Sequence, residues 1–552
     1  MELPLPEVEA SAEAPLAPKA ARGGKRFVAL PDREQLSLAP RCLDELVPPD
    51  AFVRLFDEIL EACDFAAFDA RHPGGGRPAF PPKLLCKLLL YGQCVSVRSA
   101  RELSRRLERD THFMWLAHEL RVDHETLSNF RRACRRELQG VFQQVVRLGV
   151  LLGLAKLEHI ALDGTKLAAR TARRAYDEPS LQAALQRLDA RLAALTAEAE
   201  ALDAAEDARY GRARGDELPA ALQQAQVRRE QLQQAQALLA QSPYPHLALG
   251  DPEAPVQKTQ DGKRPGYNGQ LAVDAEVGFV VGAALVCAQN DSAQFLPLAQ
   301  QVLANTGQTP QEFAADSGYH SPETLEALAA SELNAYINQQ PTRRPDGRFG
   351  QEDFTYDEAS DSYRCPAGQR LTFRGLKTMR RVRSRRYRAE HSCVPCAQRA
   401  QCLSAKARYR ELLVAPHAAL LRAMREKVAS PEGQQALQRR KQTVERTFGT
   451  IKAQLGLRQF LLRGREGAQV EFLLSALAVN VRKLAQWLGA GGSAAQLRAA
   501  ATAAAAAGPL LGPWWRSAGH GARRLLPAVL GAFHRCGTHP CRRLAARALS
   551  PA

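Results

Sequence analysis

Asp163, Asp316 and Glu445 are the residues whose type and setting could do chemistry. His159-Ile160-Ala161-Leu162-Asp163-Gly164 is a short apolar run ending in a carboxylate and a glycine, so it reads as a buried strand delivering Asp163 at its end. Glu312-Phe313-Ala314-Ala315-Asp316-Ser317-Gly318 repeats the pattern for Asp316. Glu445 lies in a helix that starts at Ser430-Pro431-Glu432, with a cap, a first-turn proline and a first-turn acid, and runs to about Leu455, where Gly456 can end it. Carboxylates at close range repel and raise one another's pKa, so a cation is what would make three of them comfortable together. Oxygen-only ligands suit Mg²⁺ or Mn²⁺, and a two-metal site can activate an attacking oxygen and stabilise the leaving one at a phosphodiester. Taken singly, each acid also reads as a strand-end cap or a solvated helix residue. Lys441, Glu445, Phe448 and Lys452 share one helix face. That face could hold metal and DNA phosphate together, or carry ordinary helix salt bridges.

Four cysteines form a second constellation. Cys365, Cys393, Cys396 and Cys402 give C-x27-C-x2-C-x5-C, with Pro366 and Gly368 after the first. A Cys-x2-Cys knuckle with two further thiols suits tetrahedral Zn²⁺; an iron–sulfur cluster and unligated thiols are the alternatives. Cys42, Cys63, Cys86, Cys94, Cys134 and Cys287 read as small core residues.

The charge arithmetic supports a polyanionic partner. The chain has 552 residues, 75 Lys and Arg against 58 Asp and Glu, and a formal charge of +17. Residues 364–410 hold fourteen Lys and Arg against the lone acid Glu390, and residues 491–552 hold eight Arg and no acid. The basicity is therefore local, as in electrostatic contacts to nucleic acid; a solvated loop and a disordered tail are the plainer readings. A 45% hydrophobic content excludes a wholly disordered polybasic chain. No apolar run approaches the roughly 18 residues of a membrane span, and Met1-Glu2 opens an acidic leader without signal-peptide character. The chain is read as cytoplasmic and nucleoid-associated.

These residues need elements to position them. Residues 1–35 read as a disordered leader and 36–157 as an all-helical DNA-binding module with apolar residues at three and four spacing. Within it, a basic helix after Asp123-His124-Glu125 presents Ser128, Asn129, Arg131 and Arg132 to a DNA groove or to solvent. Residues 158–177 and 243–340 alternate strands and helices as a mixed α/β sheet. Residues 178–242, with Leu181, Leu185, Leu188, Leu192 and Leu195 on one stripe, read as an inserted helical hairpin. The Cys/Arg-rich segment 341–429 is a second insertion, 430–485 supplies the C-terminal helices, and 486–552 is a low-complexity basic tail.

Taken together, these motifs resemble the DDE transposases of bacterial insertion sequences. The matching text is His159-Ile160-Ala161-Leu162-Asp163-Gly164-Thr165-Lys166, Gly266-Tyr267-Asn268, Ala315-Asp316-Ser317-Gly318-Tyr319, and Val444-Glu445-Arg446-Thr447-Phe448-Gly449-Thr450-Ile451-Lys452 followed by Arg463-Gly464, Glu471 and Asn480. The entry module around Gly76-Arg77-Pro78 and Pro81 to Tyr91 is similar too. The Arg usual four residues before the Glu is Lys441 here, and the upstream Tyr is Gln438; both departures touch phosphate positioning more than chemistry. The resemblance implies an RNase H-like core in which Asp163, Asp316 and Glu445 bind two Mg²⁺ and are catalytic. Lys452 would contact the phosphate near the scissile bond; Lys441, Lys166, and Arg131 and Arg132 of the basic helix are the further candidate DNA contacts. Water and then a DNA 3′-OH would attack phosphodiesters at transposon ends and target. DNA and a second copy of the chain, as a homodimer, are the expected partners. An RNase H-fold nuclease or resolvase without strand transfer, and a non-catalytic DNA-binding remnant, are the alternatives.

Overall fold

A computed structural model describes residues 42–71, 78–210, 220–259, 262–339, 347–379 and 382–506. The 1–35 leader, Gly76-Arg77, Arg380 and Arg381, the hairpin break at Gly211 and Gly215, and the tail from 507, with Trp514-Trp515-Arg516, lie outside the described residues.

The N-terminal helices are α1 (Phe52–Glu61), α2 (Ala66–Asp69), α3 (Pro82–Cys94), α4 (Ala100–Arg106), α5 (Thr111–Leu116), α6 (His124–Ala133) and α7 (Arg135–Leu151). Proline at the first position of α3 is tolerated because that N–H has no helical partner. Asp123 caps α6 by accepting from the Glu125 and Thr126 N–H groups, each at 2.8 Å. On α6 the expectation for Arg131 fails. Its side chain is buried and donates to the Arg98 carbonyl at 3.2 Å, because residue 131 falls on the stripe of Leu127 and Phe130. Arg132, one position on, is exposed.

The sheet follows. β1 (His159–Ala168) is longer than the apolar run predicts, so Asp163 stands mid-strand rather than at its end. The helical hairpin α8 (Glu178–Tyr210) and α9 (Ala220–Gln241) follows β1, and the leucine stripe packs it: Leu181, Leu185 and Leu188 meet Leu232, Leu238 and Leu239. Then come β2 (Val256–Thr259), β3 (Gly262–Asp274), β4 (Phe279–Val286), α10 (Phe295–Thr306), β5 (Glu312–Ala315), α11 (Pro322–Ala329) and β6 (Ala335–Ile337). β1 pairs antiparallel with β3, Asp163 opposite Leu271, and parallel with β5, His159 opposite Glu312. β4 adds antiparallel to β3 and β6 parallel to β5, so β1 is central. Buried on both faces, it reads as Ile160, Ala161 and Leu162 in succession.

The Cys/Arg segment makes its own antiparallel sheet, β7 (Thr355–Asp357), β8 (Ser362–Arg364), β9 (Arg370–Met379), β10 (Val382–Ala389) and β11 (Glu411–Val414), with the short helix α12 (Arg399–Cys402) before the last strand. Its small separate core includes Phe354, Tyr363, Leu371, Tyr387 and Leu412.

The chain closes with α13 (Ala418–Ala429), α14 (Pro431–Gly449), a π-helical turn over Thr450–Gln454, α15 (Gly464–Gly489) and α16 (Ala494–Ala506). α15 is apolar on nearly every side, as a helix must be when surrounded. It packs on β4, α7, α3 and α1. One hydrophobic core accordingly runs from Leu43 to Ala500, and the N-terminal helices are built into it rather than appended. Cys63, Cys86, Cys94 and Cys134 are buried in that core, while Cys42 and Cys287 are half-buried.

Two motif residues do structural work on α15. Asn480, fully buried, completes the β4 edge: its side chain accepts from the Val280 N–H and donates to the Val280 carbonyl, both at 2.7 Å. Glu471 accepts the Leu461 N–H at 2.9 Å and the Arg98 guanidinium at 2.7 Å. Arg98 also donates to the Gln459 carbonyl at 2.8 Å, and Gln459 to that of Ala169 at 2.9 Å. The loop after the π turn is thus tied to both the helical module and the end of β1.

The low-complexity tail does not begin at 486. α16 lays Leu497, Ala500 and Ala504 against α7, where Arg147 donates to the Ala504 carbonyl at 3.4 Å. Leu497→Ala should destabilise the chain by about 2–4 kcal/mol, the cost of a cavity at a fully buried leucine. An unchanged urea midpoint would show that α16 contributes nothing to the fold.

Candidate active site

Arg440 is the centre of the site. It sits on the buried stripe of α14, in line with Gly433, Ala436, Val444, Thr447 and Phe448, and its guanidinium reaches into the sheet. Nε donates to the Leu162 carbonyl at 2.9 Å; Nη2 lies 2.9 Å from Asp163 Oδ1 and 3.6 Å from Asp316 Oδ2. A cation on a packed helix therefore joins the two aspartates that adjacent parallel strands carry side by side. Asp163 Oδ1 also accepts the Gly164 N–H at 2.8 Å, and Asp316 Oδ1 the Gly318 N–H at 2.9 Å. Burial holds the Asp163 carboxyl up at about 6; Arg440 opposes that shift, and Asp316 adds to it.

Behind these aspartates stands a third. Asp291 Oδ1 accepts from Asn268 Nδ2 at 2.5 Å and Gln270 Nε2 at 2.7 Å, with Lys166 Nζ at 3.5 Å. Gln270 in turn accepts from the buried Tyr319 hydroxyl. The glycines mark how tight the cluster is. A Cβ at Gly164 would lie 2.5 Å from Gln270 Nε2 and 2.8 Å from Asp291 Oδ1, and one at Gly318 would lie 3.0 Å from Asp316 Oδ1 and 3.4 Å from Asp291 Oδ2. Asp163-Gly164 and Asp316-Ser317-Gly318 thus need glycine for room beside carboxylates.

The other predicted residues divide. Lys166 is in the cluster, and burial lowers its pKa. Lys452, on the π turn, is half-buried; desolvation lowers its pKa while the charge of Asp163 opposes the drop. Glu445 and Lys441 share the helix with Arg440 but are exposed, and neither has a hydrogen bond or ion pair among the described residues. Glu445 lies one position round from buried Val444 and one turn before Phe448, so it flanks the stripe without touching the aspartates. Among the described residues, no group of three or more His, Cys, Asp or Glu side chains is gathered closely enough to hold a metal ion. What fits a divalent cation is narrower: Asp163 and Asp316, an all-oxygen pair already sharing one positive group.

Arg440 and Asp291 were missed in sequence. For Arg440 a signal existed, since a charged residue four positions from both Ala436 and Val444 falls on the apolar stripe and must be paired. Nothing local marks Asp291, which enters through the folding of its loop onto β3.

The basic block is only partly free. Arg385 pairs with Asp361 and lies 4.6 Å over the Phe373 ring; Arg388 lies 4.0 Å over Tyr409 and Arg410 5.1 Å over Phe354. These arginines hold the small sheet together. Arg364, Arg374, Lys377, Arg383, Lys406 and Arg408 are exposed without a side-chain partner among the described residues. Cys365, Cys393, Cys396 and Cys402 line one small cavity in the same sheet.

The chain matches two family models. Residues 364–485 match a Transposase DDE domain, which runs without a break from the cysteine segment through the Glu445 helix into α15. Residues 41–133 match the Transposase domain (DUF772), which covers α1 to α6. No curated protein matches the chain. No helix among the described residues is long and apolar enough to cross a membrane. Two transposase-domain matches on one chain, lying on either side of the paired aspartates in sequence, indicate a transposase of the insertion-sequence DDE type.

Proposed function

We propose that the protein cuts DNA at transposon ends and joins the freed 3′-OH to target DNA by Mg²⁺- or Mn²⁺-dependent phosphoryl transfer, on an RNase H-like core. The observation that carries this reading is the juxtaposition of Asp163 and Asp316 on neighbouring parallel strands, with α14 packed across them. The placement of β1 between an antiparallel and a parallel partner supports the same core. Asp163 and Asp316 are the metal-binding pair, and Glu445 is the third acid, brought in from the flank of α14. Bound there, divalent ions supply activation of the attacking oxygen and stabilisation of the leaving one.

The chain's own groups have separate tasks. Arg440 neutralises the aspartates and holds them at short range. Asn268, Gln270 and Tyr319 fix Asp291 and the strand faces around them. Lys452 and Lys166, both paying a desolvation cost as cations, gain most from an approaching phosphate. The exposed cations of β9 and β10, with Arg132 on α6 and Lys441 on α14, offer backbone contacts to DNA. A homodimer acting on two ends, nucleoid-associated in the cytoplasm, is the corresponding assembly.

The decisive experiment incubates the purified chain with Mg²⁺ and DNA bearing the sequences that flank its gene. Cleaved ends and end-to-target joints are expected; cleavage without joining would leave a nuclease, and neither product would remove the proposal. Asp163→Asn and Glu445→Gln should each lower both steps at least about 100-fold, and Glu445→Gln, at an exposed position, should do so with unchanged melting temperature. DNA affinity should fall with salt, with log–log slope near −0.9 per phosphate contacted; Arg374→Ala with Arg383→Ala should flatten it, and an unaltered slope would exclude this sheet as a DNA contact.

Asp163 also sets a pH dependence. Its folded pKa of about 6 lies above the ordinary 3.8, so the native state binds the extra proton in that interval and stability falls as pH rises through it. Above about pH 6 the ionised carboxylate depends on Arg440. Arg440→Ala should therefore destabilise by up to about 3 kcal/mol at pH 7.5, less than a fully buried pair because Asp316 is partly exposed. The loss should shrink at pH 5, and equal losses at both values would refute the coupling.

A further inference from the structure

The four clustered cysteines have no part in the chemistry above. Cys365 directly follows β8 and opens a tight turn in which the Gly368 N–H donates to the Cys365 carbonyl at 2.8 Å and the Gln369 N–H to Cys365 Sγ at 3.2 Å. Gly368 has φ +82°, a backbone that glycine adopts freely. Cys393 and Cys396 form a second turn, closed by the Cys396 N–H on the Cys393 carbonyl at 3.3 Å and anchored by the Cys393 N–H on the Arg408 carbonyl at 2.8 Å. Cys402 ends α12, where Arg410 donates to its carbonyl at 2.8 Å. Two hairpin-like turns and a helix end, distant in sequence, thus present four thiols to one place.

That place is a cavity of about 20 Å³ lined by all four cysteines with Pro366, Gln369 and Arg410, room for one atom-sized guest. None of the four is in a disulfide. No carboxylate or histidine lines the cavity, so the donor set is all sulfur and selects a soft, four-coordinate ion. As placed, the four sulfurs line the cavity without being gathered tightly enough to hold an ion, so binding would draw them together; Cys365, Cys396 and Cys402 are only partly buried. The surrounding core is small and separate from the main one, the situation in which a structural metal adds most to stability.

We infer that Cys365, Cys393, Cys396 and Cys402 bind one structural Zn²⁺, which pins β8, β9 and α12 together and so fixes the arginine-bearing β9–β10 sheet. Binding replaces thiol protons by metal–sulfur bonds, with the protons released to solvent and no change of oxidation state. The inference does not depend on strand transfer, and its test needs no DNA.

Full-length protein should carry about one zinc per chain by elemental analysis, and a mercurial thiol reagent should release it in proportion to thiols modified. Cys393→Ser and Cys396→Ser should each reduce zinc to below about a fifth of that content, with Cys287→Ser retaining it. Should the serine variants not fold, cobalt substitution of the unaltered protein gives a second readout: the visible absorption of a tetrahedral Co²⁺–thiolate centre. Chelator treatment should speed amide exchange across 362–414 and leave 159–168 unchanged. Iron in place of zinc, a Cys393–Cys396 disulfide in the purified protein, or zinc content indifferent to Cys393→Ser would each overturn the assignment.

Discussion

The contact of Arg440 with Asp163, Asp316 and the Leu162 carbonyl is the constraint on which the site depends. An arginine on the buried stripe of a helix is costly unless its charge and its donors are met. Two aspartates at close range are equally costly unless a cation lies between them. Each supplies what the other lacks, which fixes α14 in rotation and translation against the sheet. Once α14 is fixed, the flank carrying Glu445 and the π turn carrying Lys452 have their positions set by the helical screw.

A second restraint fixes the far end of the same segment. Arg98 from the helical module and Glu471 from α15 meet almost out of water, and between them they hold the backbone of residues 459–462. The loop also bridges to the end of β1 through Gln459 and Phe460. The N-terminal helices are therefore tied mechanically to the candidate site. α15 extends the coupling, since its apolar surface joins β4 on one side to α7, α3 and α1 on others. The β7–β11 sheet stands apart, with its own core, and its arginines are divided between rings that stabilise it and solvent where nucleic acid would lie.

Much of the element order was legible because its signals are local. Ser321-Pro322-Glu323 and Ser430-Pro431-Glu432 start helices where the structure starts them: Ser321 caps the Thr324 N–H at 3.1 Å and Ser430 the Gly433 N–H at 3.1 Å. The apolar runs at Ile160 and Phe313 become neighbouring buried strands. What failed depended on partners distant in the chain. β1 continues through Lys166 to Ala168 because β3 begins as early as Gly262 and offers a ladder that composition does not announce. Arg131 reads as a groove contact by charge alone, yet its helix turns it inward. The alanine-rich stretch after residue 494 reads as low complexity, yet small side chains let α16 lie close on α7.

The sequence by itself determined the candidate residues and their order: Asp163 and Asp316 at glycine-marked positions, Glu445 on a capped helix, four thiols among arginines, and a charge concentrated where a polyanion could be met. Residue type and short-range pattern suffice for these, because capping, strand alternation and ligand chemistry act over a few residues. Only the tertiary structure decided that Arg440 is the counter-charge, that Asp291 stands behind the pair, and that Glu445 waits at the flank. It also decided which arginines are structural. Those outcomes turn on side chains hundreds of residues apart meeting in a low-dielectric cleft, where a pairing energy exists only after the core has brought the partners together.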